Sequence, residues 1–207
     1  MTKIALCYSG RPRSYQECYE NHKQYFRLGL PDVDVFAHMW FDEDLVGSQF
    51  RTDVGQGTWP DASVKEWIDE HWKPKKVTYE KPRYFADMFV DTWQTKWRAT
   101  HPKDNQISMF YGIEQVMNLK KQYEKENNFK YDYVIRMRSD LLWMQHPGPF
   151  EDYDPNKLHT FKVNPGPDWI QTGVDDFAIL DIIAWGGSEV MDKYGTIYSN
   201  LQRITEE

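Results

Sequence analysis

Three short stretches of the chain carry residue types that grip phosphate or move protons. The first is Tyr8-Ser9-Gly10-Arg11-Pro12-Arg13-Ser14. Gly10 permits a tight backbone turn, and a helix starting after it would present free N–H groups. Two guanidinium groups, Arg11 and Arg13, suit a diphosphate there, and an ordinary turn with solvent-facing arginines is the competing reading. The segment is not a Walker loop, because Gly-Lys-Ser/Thr is missing, and it lacks the third glycine of a dinucleotide fingerprint. The second stretch is Arg136-Met137-Arg138-Ser139-Asp140. In a continuing strand its three charged residues share one face, and charges at the end of a central strand need a ligand or each other. A structural Arg–Asp pair is the alternative. The third is Thr172-Gly173-Val174-Asp175-Asp176-Phe177. A carboxylate here could deprotonate an acceptor hydroxyl, and adjacent residues in extended chain point oppositely, so one of Asp175 and Asp176 faces a cleft. Asp176 is the favoured one, since Phe177 would then turn inward.

Aromatic residues supply a further kind of contact. Trp40 and Trp169 stand in loops or at strand ends, where indole rings pack on the C–H faces of sugars. Core filling is the expectation for Trp67 and Trp72. His38 and His159 have no partner at metal-ligand spacing and read as core or rim residues. Asp42-Glu43-Asp44 reads as a solvated loop in preference to a metal site.

These stretches must be held by regular elements. Residues 4–8 are an apolar run that predicts a buried strand. Ser14-Tyr15-Gln16-Glu17 has the form of a capping box, opening a helix with Tyr15, Cys18, Tyr19, His22 and Phe26 on one side and Gly29 at its end. Residues 33–40 predict a second strand and 41–62 a polar stretch. A second capping box, Ser63-Val64-Lys65-Glu66, opens another helix. Strands are expected at 76–80, 133–138 and 157–163, and a long helix at 105–126. The aromatic stretch 82–102 resists assignment. Residues 164–173 read as a Pro/Gly-rich loop, 177–185 as an apolar run, and Gly186-Gly187-Ser188 as the start of a last helix. The order β-α-β-α-β-α-β-β-α predicts one single-domain α/β/α sandwich over residues 1–207, with a mainly parallel central sheet. Ligands in such sheets bind beyond the carboxyl ends of the strands.

Composition narrows the function. The chain has 207 residues and a formal charge of −7, which argues against nucleic acid as a general partner. With 13 Tyr, 11 Phe and 9 Trp, some rings are expected to line a cleft. Two cysteines, Cys7 and Cys18, make neither a disulfide framework nor a zinc site and suit a reducing, cytoplasmic compartment. The first apolar run is too short for a secretion signal, and the run at 177–185 is broken by Asp181, so no integral membrane segment is expected. The final residues read as a helix cut short, which suggests further domains in a longer protein.

The strand ending in Ser-Gly-x-x-Arg, the long helix, "YDYVIRMRSDLLW" and the later "DDFAIL" together resemble GT-A-type glycosyltransferases. More narrowly they resemble small enzymes of capsular polysaccharide synthesis and of large-virus glycosylation, acting in the host cytoplasm if viral. The resemblance implies a nucleotide-sugar donor, UDP- or GDP-linked, and a glycan or glycoprotein acceptor. It implies Tyr8, Ser9 and Gly10 at the base and ribose, and Arg11, Arg13, Arg136 and Arg138 at the donor. In the family an Asp-x-Asp holds a divalent metal on the diphosphate. Here Arg138-Ser139-Asp140 stands in that place, so the resemblance implies Asp140 as the metal ligand for Mn2+ or Mg2+, with Arg138 neutralising phosphate. It also puts the reaction-side carboxylate in the Asp175-Asp176 segment. Two alternatives stand beside this one. One is a sulfotransferase-like enzyme with another phosphate-bearing donor. The other is a carbohydrate-binding protein without catalysis, which leaves the arginine-rich strand ends without a role.

Overall fold

The computed structural model describes residues 2–52, 55–85, 103–144, 148–161 and 182–206. In chain order these form β1 (Ile4–Gly10), α1 (Tyr15–Phe26), β2 (Val33–Trp40), β3 (Gln49–Thr52), β4 (Gly55–Thr58), α2 (Ser63–His71), β5 (Lys76–Glu80) and α3 (Lys103–Asn127). They continue with β6 (Tyr133–Met137), β7 (Ile183–Gly186), α4 (Ser188–Tyr194) and α5 (Ile197–Glu206). Five strands make one sheet in the order β5-β2-β1-β6-β7, parallel except for β7. The α/β architecture with a mainly parallel sheet flanked by helices agrees with the reading from sequence.

The central strand explains itself by alternation. Ile4, Leu6 and Tyr8 face α1 and α2, where they pack with Phe26, Ile68 and Trp72. The smaller Ala5 and Cys7 face α3 and meet Val116 and Met117. Small residues on that side let the long helix lie close to the sheet, and burial on both faces makes β1 a continuous apolar run. Cys7 and Cys18 are both buried thiols.

The topology sets where a ligand can bind. The chain runs outward from β1 to β2 to β5 on one side. It then returns through α3, on the opposite face, to β6 on the other side of β1. The direction of winding therefore reverses between β1 and β6, and a crevice opens at such a reversal beyond the carboxyl ends of the strands.

A buried ionic knot fixes α3 to α4. Lys120 donates to Glu124 at 3.0 Å, Ser188 at 2.7 Å and Asp192 at 2.7 Å, so its three protons each have an acceptor. Ser188 and the Tyr131 backbone N–H also donate to Glu124, at 2.6 Å and 2.9 Å, and Lys130 reaches it at 3.2 Å. Burial alone would raise the Glu124 pKa, but these donors and the Lys120 charge outweigh it and hold the carboxyl low.

Several local expectations change. Neither capping box forms: Ser14 sits at φ 43° with no side-chain cap bond, and the carboxylate of Asp61 accepts from the Ser63 N–H at 2.8 Å. Asp61 wins because an Asx turn preceding the helix satisfies the same donor earlier in the chain. The polar stretch 41–62 contains the β3–β4 hairpin. No strand runs through the described residues of 157–163. His159 instead makes one bridge to Trp185, exchanging N–H···O bonds of 2.8 Å and 3.0 Å. Pro155 O accepts from the Gly187 N–H at 2.8 Å, and a Cβ on Gly187 would come within 2.6 Å of that oxygen. The single last helix is two, α4 and α5, broken around Gly195-Thr196. Among the described residues no helix is long and apolar enough to cross a membrane.

Candidate functional site

Two loops meet at the reversal point. After β1, Gly10 takes φ 127°, a conformation strained for any side-chain-bearing residue, and the Arg13 N–H bonds to Arg11 O at 2.9 Å. This tight turn sends Arg11 and Arg13 out from the sheet, both half-buried. The Arg11 guanidinium lies over the Trp59 ring, 5.2 Å from its centroid. After β6, the strand ends at Met137, so Arg138 and Asp140 lie in the loop and not along a continuing strand face. Their side chains form a bidentate ion pair, Nε to Oδ1 at 2.9 Å and Nη2 to Oδ2 at 2.6 Å. Ser139 ties the loops together by donating to Arg11 O at 3.4 Å.

The loop carrying Asp140 is fastened to α1. Asn21 donates to Trp143 O and accepts from the Trp143 N–H, both at 2.9 Å. His22 Nε2 lies 2.8 Å from Leu141 O, and His22 Nδ1 lies 3.0 Å from the Tyr8 hydroxyl. Burial lowers the His22 pKa, so the ring is neutral, donating at Nε2 and accepting at Nδ1.

The expected donor residues thus separate into two groups. Arg11, Arg13, Arg138 and Asp140 stand on the two loops with Gly10. Tyr8, Ser9 and Arg136 lie within the sheet. Tyr8 is a correction: it is fully buried on the α1 side, stacked on Trp72 at 4.4 Å, and supports His22 instead of facing a base or ribose. Arg136 is 1% exposed on the α3 side and donates to Ser9 Oγ at 3.0 Å. Trp40 is also corrected as an open sugar platform. It is buried, with its ring stacked on Tyr111 at 5.5 Å, because its phase in β2 aims it at α3. Trp169, Asp175 and Asp176 lie outside the described residues.

Sequence reasoning missed a second polar cluster, at the ends of β2 and β5. Glu80 accepts from His38 Nε2 at 2.9 Å and from the Tyr111 hydroxyl at 3.2 Å, and it pairs with Arg83. Burial would raise the Glu80 carboxyl, but His38, Arg83 and Tyr111 together hold it below its ordinary value. Burial lowers His38, against the pull of Glu80. The signal was there in the period-two series Phe36, His38, Trp40, which places three rings on one sheet face.

Chemically, the loop pair offers guanidinium groups and one carboxylate in one place, a complement to a diphosphate with its counter-ion. Among the described residues no group of three His, Cys, Asp or Glu is arranged to hold a metal ion. A lone carboxylate such as Asp140 fits Mg2+ or Mn2+ when phosphate oxygens and waters fill the remaining positions. Comparison with protein-family models and with curated proteins gives no match.

Proposed function

We propose that the protein is a glycosyltransferase that moves a sugar from a nucleoside-diphosphate sugar to a glycan or glycoprotein acceptor. The observation that carries this reading is the meeting of the Gly10-Arg11-Pro12-Arg13 turn with Arg138-Ser139-Asp140 at the β1/β6 reversal. Gly10 lets the backbone approach the ligand closely. Arg11 and Arg13 pair with phosphate oxygens. Arg138 would meet the diphosphate, and Asp140 would hold Mn2+ or Mg2+. That cation supplies charge neutralisation for the departing diphosphate. Asn21 and His22 keep the Asp140 loop in place against α1. Asp176, with Asp175 beside it, is the proposed reaction-side carboxylate.

The test is calorimetric titration with UDP, GDP and their sugar conjugates, with and without Mn2+, followed by donor hydrolysis. Expected are diphosphate-dependent binding and slow release of free sugar. Asp176→Asn should lower hydrolysis by about 10² with donor affinity unchanged. Binding of free glycans without any nucleotide binding would instead identify a carbohydrate-binding protein.

A further inference from the structure

The chain between β2 and α2 is far longer than such a connection needs. A strand and the helix after it are usually joined by about 2–6 residues, and a much longer excursion in an ordered domain is commonly functional. Here residues 41–62 leave the carboxyl end of β2, form the β3–β4 hairpin and return to α2. The hairpin stands outside the five-stranded sheet. What it does instead is carry Trp59 to the turn that follows β1.

Trp59 is fixed at both of its backbone groups. Its N–H donates to Ser48 O at 2.9 Å and its carbonyl accepts from the Gly47 N–H at 3.2 Å, which continues the ladder past the Gln49–Thr58 pair. Its indole is buried in a cluster with Trp40, Phe85 and Tyr111. The Arg11 guanidinium lies over that ring, 5.2 Å from its centroid. The main chain of Arg11 is fixed separately, because Arg11 O accepts from the Arg13 N–H and from Ser139 Oγ. Those bonds do nothing for the long side chain, which carries much rotamer freedom. A ring face attracts a guanidinium without taking any of its N–H groups. A carboxylate does the reverse: Asp140 occupies the fork of Arg138 with two bonds. Two arginines of one site are thus held by different chemistry, one by a ring and one by an acid.

We propose that Trp59 is a positioning residue: it orders the Arg11 guanidinium at the β1 turn before a diphosphate arrives, and the β3–β4 excursion serves to deliver its ring. An arginine ordered in advance spares the complex the entropy of immobilising that side chain. The proposal rests on the nucleotide-sugar reading and deepens it by naming the element that presets its phosphate contact.

The experiment is a double-mutant cycle on Trp59→Leu and Arg11→Ala, with Trp59→Phe as the conservative variant. The probes are UDP, GDP, uridine, guanosine and inorganic pyrophosphate, each titrated calorimetrically. Trp59→Leu should raise the Kd of pyrophosphate, and of the nucleoside diphosphate that the parent binds, about three- to tenfold. The matching nucleoside should stay within about twofold of the parent. Trp59→Phe keeps a ring face and should recover most of the loss. With Arg11 already replaced by alanine, Trp59→Leu should weaken the diphosphate no further. Equal weakening of nucleoside and diphosphate overturns the proposal, because the ring would then serve packing alone. So does a diphosphate loss of the same size without Arg11, or a Trp59→Phe variant as weak as Trp59→Leu. Should Trp59→Leu not fold, Trp59→Met removes the ring face with a more adaptable side chain, and the same outcomes decide. A parent that binds UDP or GDP while Trp59→Leu binds them equally well sinks this inference and leaves the proposed function standing. A parent that binds pyrophosphate but neither nucleotide, with the cycle as expected, removes the proposed function and keeps the positioning role. A parent that binds none of the probes overturns both.

Discussion

Asn21 and Trp143 hold each other through two reciprocal bonds of 2.9 Å, side-chain amide against backbone, across 122 positions of chain. The pair is a clamp: it fixes the loop after Asp140 to the helix after the arginine turn. Asn21→Ala removes both bonds and leaves two backbone groups without their partner. A loss of about 1–3 kcal/mol is expected in urea unfolding. Nucleoside diphosphate affinity should fall as well, since the two loops are no longer held in one geometry. Unchanged affinity in a destabilised variant would make the clamp purely structural.

Asp140 and Arg138 neutralise each other in the ligand-free protein. Asp140→Asn preserves size and removes the carboxylate charge that faces Arg138. Binding of UDP or GDP in EDTA should be retained, while the gain in affinity on adding Mn2+ should disappear. Titration in both conditions checks this, and a full Mn2+ response in the variant would remove Asp140 as the ligand.

Arg11→Ala and Arg13→Ala should each weaken a nucleoside diphosphate more than the matching nucleoside, because charge-assisted bonds to phosphate are lost. Each such bond corresponds to about 1.5–3 kcal/mol. For Arg11 the change also removes the guanidinium over Trp59. Parallel titrations with UDP and uridine separate the two effects, and equal loss on both ligands would contradict a phosphate role.

His22 and His38 are both lowered from 6.5 by burial. The unfolded chain therefore takes up protons at higher pH than the folded one. Their contribution to stability is fully present above about pH 6.5 and is lost as pH falls through the lowered folded values. The urea midpoint should drop between pH 7.5 and 5.5. His22→Gln should flatten part of that slope, and an unaltered slope would assign it to other groups.

Much of this architecture was legible because the central strands β1, β2 and β6 are distinct apolar runs. The strands at β1, β2 and β5, the helix α3 and the turn at Gly10 follow from residue type and spacing alone. The two faces of β1 are even visible as alternating large and small residues. What stayed hidden depends on crossovers. His38 and Glu80 are 42 positions apart and meet only because β2 and β5 pair, and Tyr111 joins them from α3. Tyr8 and Trp40 were read as ligand-facing from their nearness to strand ends, but strand phase turns both into the core. The end of β6 at Met137, one residue earlier than the expected Arg138, separates Arg136 from Arg138: one is sealed under α3, the other stands in the loop.

The backbone around β7 has a consequence for self-association. An unprotected strand at the margin of a sheet is a template onto which another chain can add. Here part of the outer side of β7 is covered: Trp185 exchanges bonds with His159, the Thr160 hydroxyl donates to Ile183 O, and Gly187, just past the strand, bonds to Pro155 O. The glycine at 187 lets the covering segment come so close that a side chain there would strike it. β5, at the opposite margin, pairs among the described residues with β2 alone, so it is the side where addition of a strand meets less backbone already bonded.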